Sequence, residues 1–293
     1  MKNFSVIIPT YNEEKSIGKV ISSIQSISND IEIIVVNDGS TDKTSEVLKN
    51  FQNIKIINHP YNKGNGAAVK SGILESTNEN IVIIDADGQH DPDDILKLVQ
   101  ELDNYDLIVG ARSKESETEK FRDIGNFIFK KLGSFLTGFN IPDMTSGFRA
   151  FKKKHIIKFF NLYPNGFSFP TTSTLCFITS GLNVKFINIK SQKREKDTKS
   201  KIKPFRDGIK FIILIIKIIM LCPLKIFLYS SAFLIILGIL WSIKTIYKTG
   251  GFSAGGLLFL VSGINLFFFG FIFDQIMALR KDIFQKEMLS EKK

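Results

Sequence analysis

Cysteine is almost missing from this 293-residue chain, and Cys176 and Cys222 stand far apart without a CxxC partner. That spacing excludes a zinc finger and a disulfide framework, and it fits a reduced, cytosolic setting. Tryptophan occurs once, at Trp241, so the 27 phenylalanines make the aromatic content mostly apolar filling. No RNP-type aromatic motif accompanies the basic residues, which argues against nucleic acid as a partner. The one glycine-rich run, Asn62 to Ala68, fits neither the GxGxxG dinucleotide motif nor a P-loop lysine motif. The chain enters an apolar stretch at Phe4–Ile8, so no cleavable signal peptide is expected. Finally, no carboxylate lies between Asp143 and Glu195. That gap matters below.

What is present is basic and apolar. Lys and Arg number 39 against 29 Asp and Glu, a net charge of +10, which suits an anionic membrane face or phosphate-bearing substrates. The length allows one large or two modest domains. Up to about Gly110, β-rich runs alternate with helical patterns. Strands are expected at Phe4–Ile8, Ile31–Val36, Ile54–Ile57, Ile81–Ile84 and Leu107–Val109. Helices are expected at about Glu13–Ile27, Asp42–Phe51, Gly66–Ser76 and Asp93–Leu102. This alternation implies an α/β, Rossmann-like domain with a mainly parallel sheet covered on both faces.

The organising stretch is IVIIDADGQHDPDD, Ile81 to Asp94. Its β-branched start reads as a buried parallel strand, and Pro92 opens a helix. Ligands of open α/β sheets sit at such strand ends. Asp85 and Asp87, one residue apart, suit a hard divalent cation that completes its shell with a diphosphate. A polar turn with no ligand is the alternative for Asp-Ala-Asp-Gly taken alone. Three other strand ends are polar. In PTYNEE, Glu14 reads as helix capping, whereas Tyr11 and Glu13 are placed to meet a base or ribose. In NDGSTD, Thr41 or Asp42 caps the next helix and Asp38 is left to accept hydrogen bonds from a base. In NKGNGAA, the glycines would let backbone approach a ligand and Lys63 would offer charge to phosphate.

The motifs IIPTYNEE, VVNDGSTD, NKGNGAAVKSG, DADGQHDPDD and DMTSGFRAF, in this order, resemble a family-2 glycosyltransferase of GT-A fold. The similarity is to the polyprenyl-phosphate hexosyltransferase group, the dolichyl-phosphate mannose synthases and their bacterial relatives, over roughly residues 4 to 210. The resemblance implies that Pro9, Tyr11, Glu13, Asp38, Lys63 and Ala86 hold the nucleotide sugar. It gives Asp85 to the donor, and Asp85, Asp87 and Gln89 to Mg2+ or Mn2+. It gives Arg112, Arg122 and Arg149 to the acceptor phosphate, with Asn126 where relatives carry a serine. The catalytic set would be Asp85, Asp87, Arg112 and Arg122. Asp143 to Arg149 would close over the site, and Arg194 with Ser200-Lys201 would fold over the phosphates. Read without the resemblance, Asp143 to Arg149 is a turn plus a surface arginine.

Relatives that glycosylate hydroxyls carry an acid near the segment that here reads FPTTST, Phe169 to Thr174. A hydroxyl needs a general base, whereas a phosphate monoester, with a second pKa of about 6, is already anionic. The missing carboxylate therefore favours a lipid phosphate acceptor. A polysaccharide synthase would want a QxxRW segment, and Trp241 lies in an apolar run instead. A non-catalytic sugar-nucleotide scaffold would not need Asp85, Asp87 and Gln89 together.

Eight basic residues between Lys190 and Arg206 face only Glu195 and Asp197. Clusters of this kind beside a membrane gain about 1 kcal/mol per charge from anionic lipid. Phe211–Leu224 is apolar except for Lys217, short and broken by Pro223, which suits helices lying in the interface. Ile226–Ile243 and Thr249–Phe273 are uncharged and long enough for two crossings. Basic residues before the first and after the second (Arg280, Lys281, Lys286, Lys292, Lys293) predict both ends in the cytoplasm. The expected organisation is a catalytic domain over 1–205, juxtamembrane helices over 206–225, a transmembrane hairpin over 226–278 and a tail over 279–293. Self-association into an oligomer stays open at this stage.

Overall fold

The computed structural model describes residues 3–28, 30–112, 120–166, 168–189, 215–216, 219, 223–251 and 253–290. Two compact units emerge, Met1–Lys210 and Phe211–Lys293. The expected boundaries at 205/206 and 225/226 fall at or beside residues 190–214, 217–218 and 220–222, which lie outside the described residues.

In the first unit, β1 (Phe4–Thr10), β2 (Glu32–Asn37), β3 (Ile54–Asn58), β4 (Asn80–Ile83), β5 (Leu107–Arg112), β6 (Arg149–Lys152) and β7 (Val184–Ile189) form one sheet in the order β3-β2-β1-β4-β6-β5-β7. β6 pairs antiparallel with both β4 and β5, and every other pairing is parallel. Six strands thus end at one edge of the sheet, and β6 begins there. The helices are α1 (Ile17–Gln25), α2 (Thr44–Leu48), α3 (Asn65–Glu75), α4 (Asp94–Glu101), α5 (Lys120–Thr137), α6 (Lys153–Lys158) and α7 (Phe169–Thr179).

Alternation along β1 shows why this sequence is covered on both faces. Val6 and Ile8 enter a core with Ile17, Val20, Ile21 and Ile24 of α1, while Ile7 faces α3. A Cβ at Gly72 of α3 would overlap the Ile7 side chain, so glycine here permits close helix–sheet packing. Each such fully buried isoleucine contributes about 1.5–3 kcal/mol. The antiparallel strand RAFK was not separable from a loop by sequence period, being only four residues long.

The second unit is a pair of helices, α8 (Pro223–Thr249) and α9 (Ala254–Ser290). Both are long and apolar enough to cross a bilayer, and only 11% and 17% of their apolar windows are buried. Gly256, Gly263 and Gly270 recur every seven residues on α9, and added Cβ atoms there would meet Ser242, Ile235 and Phe227 of α8. Small residues at this period let two backbones approach in a left-handed crossing. Phe233, Leu240, Leu258 and Phe268 stay exposed on the outside. Of the expected interfacial segment 211–224, residues 215, 216 and 219 are described before α8 begins, and they are helical.

Candidate active site

The loops after β1 and β2 are sewn together. Asn12, at φ 54°, donates its N–H to Ser40 Oγ at 3.0 Å and accepts from Thr41 N–H at 2.7 Å. Glu13 N–H reaches Thr44 Oγ1 at 2.9 Å, and Ser16 Oγ donates to the Glu13 carboxylate at 3.0 Å. Glu14 does not cap its own helix. Its carboxylate accepts Lys43 N–H at 2.8 Å, at the start of α2, where helix donors favour an anion. Asp42 accepts Thr44 N–H and Glu14 N–H at 3.0 and 3.2 Å. Pro9 lies in the buried end of β1, with Tyr11 and Glu13 half-buried beyond it.

Asp38 is not left to a base, as expected from sequence. It is buried, and its oxygens accept Lys63 N–H at 2.9 Å and Gly64 N–H at 2.8 Å, with His59 Nδ1 at 2.6 Å. His59 in turn meets Ser71 Oγ at 2.9 Å. A buried carboxylate is satisfied by such donors, and these fix the loop that leads into α3. The glycines of that loop are required by packing within the chain. A Cβ at Gly64, where φ is +103°, or at Gly66 would overlap the Pro164–Asn165 carbonyls. Ala67 N–H donates to Asn165 O at 2.9 Å. Lys63 is exposed, with Nζ 5.9 Å from the Tyr61 ring centroid.

Asp85, Asp87, Gln89, His90, Arg112, Thr145, Ser146, Gly147, Phe169 and Pro170 do come together, with Asn65, Val69 and Ile83, around one pocket at the strand ends. Gly88, at φ +72°, turns the chain between the acids and Gln89. The Asp85 side chain keeps 35% exposure. Ala86 points into the core at 3%, so the expected nucleotide contact falls to its backbone. His90, which sequence reasoning passed over, stacks on Phe148 at 5.0 Å, and its Nε2 lies 3.8 Å from Asp85 Oδ2.

Two arginines stand at this pocket in different conditions, Arg112 lining it and Arg149 behind it. Arg112 forks onto Asp143, Nε to Oδ2 at 2.8 Å and a terminal nitrogen to Oδ1 at 3.1 Å, and also donates to Thr145 Oγ1 at 2.7 Å. Burial raises the Asp143 pKa, but the Arg112 hydrogen bonds and charge outweigh it and hold the carboxyl below its usual range. Arg149 is a correction. Expected at the acceptor phosphate, it is fully buried and donates to the carbonyls of Ser146 and Pro170 and to Ser173 Oγ. Complete burial lowers its pKa to about 10, opposed by Asp143 and Asp85, so it remains a cation behind the pocket wall. It ties the 143–147 turn to the start of α7.

Arg122 and Asn126 fall on the first two turns of α5, and their side chains lie outside the described residues, as do Arg194 and Lys201 altogether. Among the described residues no three His, Cys, Asp or Glu side chains cluster as a metal site. Asp85, Asp87 and Gln89 nonetheless fit a hard cation by donor type, three oxygen-bearing side chains on one pocket.

The profile described as "Glycosyl transferase family 2" matches residues 5–160, which is more than half of the chain. The chain belongs to glycosyl transferase family 2. A second profile, "GtrB C-terminal hairpin", matches residues 222–279 of this glycosyltransferase. It is 36% identical, over 50% of its length and 68% of the relative's, to the UDP-N-acetylglucosamine--dolichyl-phosphate N-acetylglucosaminyltransferase of Methanococcus voltae. It is 33% identical, over 56% of its length and 49% of the relative's, to the dolichol-phosphate mannosyltransferase of Pyrococcus furiosus. The chain spans about half to two thirds of the length of the curated relatives it matches. Glucosyl-3-phosphoglycerate synthase from Mycobacterium tuberculosis, solved with Mn2+ and UDP, superposes with a TM-score of 0.59 at 18% identity, covering 76% of this chain and 80% of that one. The shared fold is GT-A.

Two results are expected of this family-2 glycosyltransferase. A Cβ at Gly147 would lie 2.9 Å from Asp85 Cγ and overlap an oxygen of that carboxylate. Gly147→Ala therefore displaces the Asp85 carboxylate and lowers kcat/KM, and it also costs about 1–3 kcal/mol of stability through overpacking, which a lowered melting temperature reads. In Asp143→Asn, Arg112 loses its charged partner, which costs about 3 kcal/mol of stability at pH 7. Because the folded Asp143 pKa is depressed, its stabilisation is present above the ordinary carboxylate pKa of about 3.9 and is lost as pH falls through the folded value. Melting curves of the two proteins should differ at pH 7 and converge in acid.

Proposed function

We propose that this protein transfers a hexose, with inversion, from a nucleotide sugar of GDP-mannose or UDP-glucose type to a polyprenyl phosphate at the cytoplasmic face of a membrane. The observation that carries this reading is the carboxylate inventory of the pocket. Asp85 and Asp87 are the acids that line it among the described residues, and α7 presents buried Thr171, Thr172, Ser173 and Thr174 where a base would stand. Both acids suit the cation, and an anionic phosphate needs no base. Relatives whose names specify dolichyl phosphate or undecaprenyl phosphate as acceptor support the same choice.

In the reaction, an oxygen of the lipid phosphate bonds to the sugar's anomeric carbon. The bond from that carbon to the donor diphosphate breaks, and the nucleoside diphosphate leaves with the electron pair. Asp85, Asp87 and Gln89 would hold Mg2+ or Mn2+, which neutralises charge developing on that diphosphate. Pro9, Tyr11, Glu13 and the loop fixed by Asp38 bind the nucleotide, with Lys63 at its rim. Arg122 and Asn126 take the acceptor phosphate, while Arg194 and Lys201 close on the diphosphates. Arg112 acts through Asp143 and Thr145, shaping the wall on which the phosphates rest. The helices α8 and α9 anchor the protein, with both termini cytoplasmic by the distribution of basic residues.

The test uses salt-washed membranes containing the full chain and a panel of labelled nucleotide sugars. One donor should move label into the lipid phase, and only when polyprenyl phosphate is supplied. Label that stays aqueous with every donor overturns the proposal.

A further inference from the structure

His90 lines the pocket beside Asp85 but is more deeply buried, its side chain 6% exposed against 35% for Asp85. The ring stacks on Phe148, with centroids 5.0 Å apart and planes 23° from parallel. Phe148 is itself fully buried. A Cβ at Gly110 would lie 2.9 Å from its ring, so the ring rests directly on β5. Gly110 N–H also donates to Phe148 O at 3.0 Å. The imidazole is therefore held to the sheet through close-packed contacts that leave it little freedom. Its Nε2 faces Asp85 Oδ2 at 3.8 Å. That same oxygen is the atom nearest to a Cβ added at Gly147, so the carboxylate is bordered by the Gly147 backbone and by the His90 ring.

The other ring nitrogen shows which tautomer belongs here. His90 Nδ1 is buried without a hydrogen-bond partner among the described residues. Either tautomer leaves Nδ1 unsatisfied. With the proton on Nδ1, a buried donor would have no acceptor and the Nε2 lone pair would oppose a carboxylate. With the proton on Nε2, the contact with Asp85 becomes attractive. We propose that His90 is a positioning residue, donating Nε2–H to Asp85 and setting the orientation of that carboxylate toward the divalent cation. At 3.8 Å the two atoms are beyond hydrogen-bond length, and a movement of about 1 Å by the partly exposed Asp85 side chain brings them to it. Carboxylates that ligate metals are oriented by such neighbouring donors, and losing the donor weakens metal binding by about 10- to 100-fold. This role rests on the metal reading given under Proposed function, and it makes β5, through Phe148 and His90, the support of the cation site. A ring that only fills space beside Phe148 is the competing role. The two separate in variants that keep either the ring or the donor.

The experiment uses the full chain in detergent micelles. Affinity for UDP or GDP is measured by calorimetry with and without Mn2+, the gain being the contribution of the cation, and stability is read by thermal melting. His90→Phe keeps a ring to stack on Phe148 and removes the donor. It should lose about tenfold or more of the Mn2+-dependent gain, with metal-free affinity unchanged. Its melting temperature should stay at or above that of the wild type, because a buried unpaired nitrogen is gone. His90→Gln keeps an N–H donor and loses the ring, so it should melt lower and yet retain most of the gain. His90→Leu, with neither ring nor donor, should lose both. A wild-type gain in His90→Phe overturns the proposal and leaves His90 as packing. Should His90→Phe not fold, equal gains in the Gln and Leu variants overturn it instead. A wild type that gains nothing from Mn2+ removes the metal reading itself, and the role of His90 with it.

Discussion

Transfer in Asp87→Asn is expected to fall by about 10³-fold, close to 4 kcal/mol of transition-state stabilisation at 1.36 kcal/mol per tenfold. The cause is local. Asp87 Oδ1 accepts Gln89 N–H at 3.1 Å, which sets the turn, and the carboxylate shares the pocket with Asp85 and Gln89. Asparagine keeps the shape and the turn but removes one of the two formal charges that a hard cation needs. Melting temperature and retention in salt-washed membranes should therefore match the wild type. Mn2+ affinity, read by calorimetry or by paramagnetic resonance, should drop together with activity. Wild-type activity in Asp87→Asn, or wild-type turnover in excess chelator, would remove the metal from the mechanism.

The second large effect concerns the acceptor. Polyprenyl phosphate should be glycosylated and the matching free polyprenol should not, since the alcohol must lose a proton and no spare carboxylate lines the pocket among the described residues. Arg122→Ala should lower transfer by roughly 10- to 100-fold, from about 1.5–3 kcal/mol for a hydrogen bond to a charged group, with donor affinity unchanged. Lysine should rescue poorly, because a point charge does not reproduce a two-pronged guanidinium. Equal use of the free alcohol would mean that a general base exists. Normal transfer by Arg122→Ala would remove that residue from the acceptor site.

Legibility in the sequence followed the length and regularity of the signal. The runs in β1, β2 and β4 are β-branched and buried, and their polar ends fall on one sheet edge, so Asp85 and Asp87 were visible as a pair, whereas Gln89 joined them only through the family resemblance. The roles of buried polar groups were not. A carboxylate at a strand end looks the same whether it awaits a base or, as Asp38 does, holds His59 and a loop. Arg149 and His90 are fixed by long-range packing on α7 and Phe148, which no spacing rule encodes. The glycines at 64 and 66 signal close approach, but a sequence does not say to what. Helix α5 was missed beyond its charge-rich approach, because its apolar residues serve two opposite faces and blur the period.

The antiparallel strand β6 bears on how the protein is made. It sits between β4 and β5 and joins them, with Ile81 opposite Phe151 and Leu107 opposite that same residue. Until Arg149–Lys152 is in place, β4 and β5 have no contact as neighbours, and each presents an open hydrogen-bonding edge. Such edges invite pairing with other chains, and loops this long delay the closure that removes them. During synthesis the β3-β2-β1-β4 part of the sheet can assemble early, whereas the acidic pocket acquires its far wall only after a further stretch of chain has emerged. Truncations ending before β6 should therefore aggregate rather than yield a small folded domain.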